Sequence, residues 1–516
     1  MPNVSYTDDG SLVANWDPSQ GADGVAVYNP GDMAWIMVAS ALVMVCARSP
    51  GDSWPSPHRL TRPLLRYDGV GFMYAGLLRR KNALSMLFLS LAVYSVVAIE
   101  WGYSLAFSDT ASTSFIGNLD YFGLKGVLEA PSVGSSKIPA LLFCFYQGMF
   151  ATLTPVIAVA GVAERARLLP ILVVSFLWAT ICYNPVAYWT WNAAGWGFQH
   201  GDLDFAGGGP VHITSGTASL IWSLYLGRRR GYGTAKLAYR PHSVSHVILG
   251  TSLIWFGWFG FNGGSEAAMN LRSVQAGIVT NVAAAMGGLT WMGMDFIYTR
   301  KWSAVSLCSG IIAGLVGITP AAGFVGTPSS LAIGFLTAVA ANFATGFKVL
   351  LKIDDAVDGF AIHGIGGFVG AILTGLFADT RVTGFDGYSS GGGWFNHNYE
   401  QLGWQIASAV SAMAWTATVT YILLFVVDHI PGLKLRASEE DEILGIDEAQ
   451  CGEMGYDYVS IRRELDEEHG EMGGMSRTVS HTPSSEKAGH HDPSPTTSEV
   501  TQTSAREGDV APAPSP

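Results

Sequence analysis

LDFAGGGPVHITSGTASL, residues 203–220, is a glycine-rich turn that runs straight into an apolar segment carrying a histidine one turn inside it. Pro210 suits the first turn of a helix, where its missing N–H would have had no partner. His212 is therefore expected at the start of a membrane helix. An imidazole in such a segment is costly unless it is paired or lines a cavity, which makes it a functional candidate. DGFAIHGIGGFVGAIL, residues 358–373, repeats the plan with an acidic residue, a glycine, and then His363 entering an apolar run. Two histidines at matching points of two halves is the arrangement these stretches suggest.

The surrounding chain is built for a bilayer. Of 516 residues, 49% are apolar and only 14% charged, a balance unusual for a soluble domain. Windows of about 20 apolar residues fall at 83–106, 138–161, 168–190, 209–227, 243–262, 274–298, 303–319, 330–350, 360–378 and 402–428. An interrupted segment beginning near Met33 makes the expected total eleven, in an all-α polytopic fold. Alternate loops hold sixteen Lys and Arg, among them Arg79, Arg165, Arg229 and Lys348, whereas the intervening loops hold only Lys125, Lys137, Arg272 and Arg381. By the positive-inside rule the N-terminus lies outside and the C-terminus inside, which requires an odd number of spans.

The formal charge of −12 is local. Residues 438–516 carry 18 Asp and Glu against 5 Lys and Arg, a net of −13 within that total, so the rest of the chain is +1. The acidity thus describes a tail and gives no reason to expect a nucleic-acid partner. Cys144, Cys182 and Cys308 fall in apolar segments and Cys451 in the tail, so no extracellular disulfide framework is evident. No basic n-region marks a cleaved signal peptide, and Asn3-Val4-Ser5 is the one N-x-S/T sequon.

Along the chain, residues 1–31 read as an extracellular N-terminus and 32–432 as the membrane domain. Within it, 46–68, CARSPGDSWPSPHRLTRPLLRYD, is anomalous: four prolines and four arginines interrupt an apolar pattern that resumes at Gly69. It reads as a retained intron in the gene model, Val-Cys being encodable as GTATGT, or as a genuine insertion. Glu100 receives no role. Phe150 suits core packing, and Trp189, Trp191 and Trp196 suit an interfacial belt. Phe261 and Ser265 are expected to face the same vestibule as Trp191. Residues 433–465 are expected to form an ordered cytoplasmic regulatory segment, and 466–516 to be a disordered acidic tail rich in Ser, Thr and Pro. Its hydroxyls are candidate phosphorylation sites, so a kinase is an expected partner.

Several motifs converge: YQGMF, GVAERAR, LDFAGGGPVH, WFGFNGGS, SGIIAGLVGITPAAGFV, DGFAIHGIGG and LGID followed by GE and YDY. Together they resemble the ammonium transporter, methylammonium permease and Rhesus family, in its fungal branch, from about residue 32 to 458. The resemblance implies a five-plus-five inverted repeat with its site near the midplane, a homotrimer with one pore per subunit, and ammonium and methylammonium as substrates. It assigns Trp191, Phe150 and Ser265 to outer cation recruitment, with Asp204 below the vestibule. Phe150 and Phe261 become a stacked gate, and Trp258, His212 and His363 line the pore. Keeping the first histidine fits the branch associated with high-affinity uptake and nitrogen sensing at the plasma membrane. No cofactor, metal or enzymatic activity is implied.

Elementary energetics supports such a design. A cation over an aromatic face gains about 0.5–2 kcal/mol and a charged hydrogen bond about 1.5–3 kcal/mol, far less than the tens of kcal/mol of burying a bare ion. Deprotonation at the gate would let neutral ammonia pass and would reject K⁺, which has no proton to lose. Asp204 has a plainer reading as an acceptor that fixes the glycine turn. Two other classes remain at this stage: a Rhesus-type electroneutral gas channel, and an intramembrane hydrolase, for which no metal-ligand spacing appears.

Overall fold

The computed structural model describes residues 4–7, 11–15, 25–47, 69–98, 101–234, 240–387 and 391–456. Its helices in chain order are α1 (Pro30–Ala47), α2 (Gly69–Leu77), α3 (Ala83–Ala98), α4 (Gly102–Phe107), α5 (Ala140–Ala158), α6 (Leu168–Trp178), α7 (Asn184–Trp191) and α8 (Trp196–Gln199). The second half continues with α9 (Thr214–Leu226), α10 (Val244–Gly264), α11 (Leu271–Thr299), α12 (Ala304–Ile318) and α13 (Thr327–Leu350). It ends in α14 (Gly366–Phe377), α15 (Thr380–Thr383), α16 (Tyr399–Asp428) and α17 (Glu439–Leu444). Among the described residues, seven helices are long and apolar enough to cross a membrane, and Pro30–Cys46 and Ala304–Ile318 are shorter apolar ones.

The N-terminus adds an element that its polar composition hid. Val4–Tyr6, Leu12–Asn15 and Val25–Tyr28 (β1–β3) form a small antiparallel meander, tied to the bundle by Tyr28, whose hydroxyl donates to Glu129 O at 2.7 Å. Asn3, the 48–68 stretch, Glu100 and the tail beyond 456 lie outside the described residues.

Two expectations shift in detail. The first helix does not stop at Cys46: α1 continues to Ala47, and Cys46 is fully buried with its thiol 3.6 Å from Ile254 O. Pro210 also does not open a regular α-helix. Residues Gly208–Ile213 form a π-helical turn ahead of α9, and Phe360–Ile365 form a second one ahead of α14. Both histidines sit in these turns. Pro210 supplies no N–H to an i→i−4 ladder, and the N–H groups of Val211 and His212 both donate to Gly207 O at 3.1 Å, which widens the turn. Such π-bulges recur at functional sites.

The two turns are pressed together where α9 crosses the second one. A Cβ on Gly216 would lie 2.0 Å from Gly364 N, so only glycine permits this approach. Past the ends of α2, α5, α9 and α13 the chain closes with an ion network. Arg229 spans Glu164 at 2.7 Å and Asp354 at 2.8 Å, and Arg79 reaches Glu164 at 2.8 Å. Burial alone would raise the Glu164 carboxyl, but Arg229 and Arg79 outweigh it and hold it below the usual range. Asp354, likewise opposed by burial, is held at about 2 by Arg229 and Arg165.

Candidate functional site

The candidate site is assembled from aromatic side chains that helical spacing puts on one line. On α5, Tyr146 and Phe150 are four residues apart and share a face, with ring centroids 5.0 Å apart. On α10, Trp258 and Phe261 stack at 4.7 Å. Phe150 meets Phe261 at 4.6 Å and a tilt of 57°, and both are essentially inaccessible.

Next along this line come Trp191 and Ser265. Trp191 sets its edge against Phe150 at 6.0 Å and donates its indole N–H to Asp204 O at 3.1 Å. Its neighbour Trp189 turns away, its N–H on Phe115 O at 2.7 Å, so the tryptophans divide between pore and packing. Ser265, at the end of α10, donates to Phe261 O at 2.8 Å and lies 3.3 Å from the Tyr146 hydroxyl. Tyr146 itself reaches Gly260 O and Phe261 O at 2.9 and 2.8 Å, and so orders the strip on which Ser265 stands. The YQGMF motif contains this tyrosine, but only the fold shows its bonds.

Asp204 fills the plainer of its two readings. Its carboxylate accepts from Gly207, Gly208 and Gly209 N at 2.7, 2.8 and 2.7 Å, which fixes the turn that launches His212. In the second half the equivalent residue is Asp355 and not Asp358. Asp355, eight residues before His363 as Asp204 is before His212, accepts from Phe360 N at 3.1 Å. Both carboxylates thus bind the N–H five residues on. Asp358 instead takes φ +59° and pairs with Lys348 at 2.5 Å.

Below the phenylalanine pair the imidazoles meet. His212 stacks on Phe261 at 5.8 Å and Trp258 at 5.4 Å, and its Nδ1 is 3.3 Å from Nδ1 of His363. Two bare ring nitrogens repel, and two N–H groups clash, so one proton sits between them. Thr319 determines which way it points. Its hydroxyl donates to Leu315 O at 2.8 Å and accepts the Trp258 indole N–H at 3.0 Å. It is left as an acceptor for His212 Nε2, 3.3 Å away. With its proton on Nε2, neutral His212 presents a bare Nδ1 to the Nδ1–H of His363.

The wall beside His363 is lined by Tyr74, Leu153, Ile157, Ile254, Trp258 and Ile362, and a side cavity there holds about 10 Å³. That is about the room of one water. The site therefore joins an aromatic, hydrogen-bonding cluster around Trp191 and Ser265 to a buried histidine pair with one proton between its facing nitrogens. Of the residues singled out in the sequence, Trp191, Phe150, Ser265, Asp204, Phe261, Trp258, His212 and His363 all fall along this line. Thr319 and Asp355 were missed.

Comparison with known proteins gives the same direction. The family model described as Ammonium Transporter Family matches residues 64–456. Ammonium transporter 1 of Schizosaccharomyces pombe is 48% identical over 436 residues, covering 84% of this chain and 83% of its own. Ammonium transporter MEP2 of Saccharomyces cerevisiae is 48% identical over 440 residues, covering 83% and 84%. The crystal structure of Candida albicans Mep2 superposes with a TM-score of 0.73 at 46% identity, covering 80% of this chain and 88% of that one.

Proposed function

Since the chain belongs to the ammonium transporter family, and is thus a multi-pass membrane transporter of ammonium and not an enzyme, we propose how its pore works. The cation is recruited in the outer mouth by the faces of Trp191 and Phe150 and by the Ser265 hydroxyl. Asp204 keeps the turn beneath in place and adds negative potential. At the Phe150–Phe261 pair, tilted and not stacked as the sequence suggested, the ion passes a proton to the histidines beneath, because no set of partners there offsets the cost of burying its charge. Neutral ammonia passes along His212, Trp258 and His363 by hydrogen bonding to the imidazoles.

The proton follows through the pair. The observation that carries this reading is the 3.3 Å contact between the two Nδ1 atoms, directly under the aromatic stack. Such a pair titrates as a unit, and adding a second proton would crowd two positive charges in a low dielectric. A proton bound at Nε2 of His363, the one ring nitrogen of the pair left bare, is balanced by release of one from the pair to the inner side. Transport is then electrogenic, and K⁺ is refused.

The same reading takes eleven spans in a five-plus-five inverted repeat, supported by the two π-turns and their matched aspartates. It takes a homotrimer in the plasma membrane, N-terminus outside and C-terminus inside, methylammonium as a second substrate, a nitrogen-sensing role and a kinase acting on the tail.

Ammonium-evoked current in proteoliposomes tests it, with methylammonium and K⁺ as comparisons. Current with ammonium and methylammonium and none with K⁺ is expected. Uptake without current would establish the electroneutral Rhesus-type channel instead. His212→Ala and His363→Ala should each lose charge-coupled selectivity while assembling normally, and wild-type current with intact K⁺ rejection in either would end the relay reading.

A further inference from the structure

One residue beyond Ser265 stands a carboxylate that the pore as described does not use. Glu266 lies on the outer loop between α10 and α11 with its side chain only 6% exposed. Its Oε1 accepts from Asn270 Nδ2 at 2.9 Å, and its Oε2 is 3.5 Å from Arg272 Nε. Arg272 does not belong to Glu266 alone. Its Nε donates to Gly323 O at 2.8 Å and its Nη1 to Asp386 Oδ2 at 2.8 Å. Its guanidinium also rests 5.3 Å from the Phe205 ring and 4.9 Å from that of Phe324.

Two carboxylates therefore share one guanidinium in a nearly closed cluster. With a proton on Glu266 the cluster is neutral; without it, it carries one negative charge. The cluster is wired to the cation site from both sides. Glu266 is bonded through the chain to Ser265, and Arg272 packs on Phe205, the residue after Asp204, whose carbonyl holds Trp191.

We propose that Glu266 is a positioning residue for cation capture, carrying a switchable negative charge that draws ammonium to the Ser265 site when ionised and ceases to when the outer medium protonates it. This rests on the recruitment reading above. The other charged and titratable groups facing this loop do not compensate it. Asp32, at the start of α1, is occupied by Met269 N at 2.7 Å. Tyr146 on α5 bonds carbonyls, and the Asp379–Arg381 pair on α15, at 2.6 Å, is neutral in itself. Burial lifts the Glu266 carboxyl to about 7, Arg272 opposing the rise and Asp386 adding to it. The switch then falls where an outer medium varies.

The test uses the full chain in proteoliposomes, with apparent KM for the ammonium ion measured from evoked current as external pH is taken through 7. In the wild type KM should fall about three- to tenfold as pH rises, the scale of one charge acting over roughly 10 Å through partly solvated protein. The maximal rate should change little. Glu266→Gln should lose the inflection and keep the high acid-side KM at every pH, whereas Glu266→Asp should retain it. Asp386→Asn leaves Arg272 to Glu266 alone and should move the midpoint to lower pH, which decides the matter if Glu266→Gln fails to fold. A wild-type inflection in Glu266→Gln, or an unmoved midpoint in Asp386→Asn, overturns the proposal. Absence of current in the wild type at every pH would instead overturn the transport mechanism.

Discussion

Replacing Thr319 by valine removes one oxygen and little volume, so it isolates what that oxygen does. The Trp258 N–H and the His212 Nε2–H both lose their acceptor, and each buried donor left unpaired costs about 1–3 kcal/mol. We expect Thr319→Val to lower ammonium-evoked current about tenfold or more while chromatographic behaviour and helical content are kept. Wild-type current would show that the His212 tautomer is set elsewhere. The histidines were legible in the sequence because an imidazole in an apolar run demands a reason. Thr319 was not, because a threonine in a helix usually just bonds the carbonyl four residues back, as this one does with Leu315. Its further bond to His212, 107 positions away, leaves no local trace. Asp355 had a trace, the eight-residue spacing to its histidine, but Asp358 next to a glycine drew the attention.

At the scale of the element, the crossing of Gly216 with Gly364 holds the two histidine turns at bonding distance. The atom a Gly216 Cβ would strike is backbone at 2.0 Å, which cannot rotate away. Gly216→Ala should therefore lower the melting temperature in detergent, by an overpacking cost of about 1–3 kcal/mol, and reduce current. Gly346→Ala, where a Cβ meets nothing within 4 Å, is the control and should be neutral or slightly stabilising. The helix order was readable from apolar windows, but the π-turns were not, since a one-residue change of period does not show in composition. The first span gives a different lesson. Cys46 of α1 contacts Ile254 O, and a Cβ on Gly69, the first residue of α2, would lie 2.8 Å from the Ile254 side chain. Cys46 and Gly69 thus both meet Ile254 of α10, and joining Val45 to Gly69 would let the chain pass that residue once. Four arginines at bilayer depth would cost about 2.5–3.5 kcal/mol each. We expect the dominant mature transcript to lack about these 23 codons of 46–68. Sequencing reads that retain them would leave a genuine insertion.

Over the whole molecule, the buried ion network and the segment after α16 converge on the same loops. Glu164 and Asp354 are held below the ordinary carboxylate range, so their contribution to stability is present above about pH 4 and is lost as pH falls through about 2 for Asp354. Removing one partner at neutral pH exposes the same dependence, since Asp354→Asn leaves the buried Arg229 short of its bidentate carboxylate and should cost about 3–5 kcal/mol, read as a lower melting temperature. Against this network lies the segment after α16. Asp447 accepts from Leu84 and Ser85 N at 3.0 and 2.6 Å, capping α3 from outside its own sequence. Glu442 accepts from Arg230 N at 3.0 Å and from Arg436 Nη2 at 2.6 Å, and the Tyr456 hydroxyl sits 2.8 Å from His242 Nε2. In the transport reading proposed above, a segment that satisfies the start of one helix and the loops between others would bias how those helices stand. Truncation at Arg436 should therefore lower uptake, and Asp447→Ala should lower it in part, since an N-cap acceptor is worth about 0.5–2 kcal/mol. Truncation near Gly473 removes only residues beyond these contacts and should spare basal transport. Uptake unchanged after truncation at Arg436, with the protein at the membrane in normal amount, would reduce the docked segment to a structural brace.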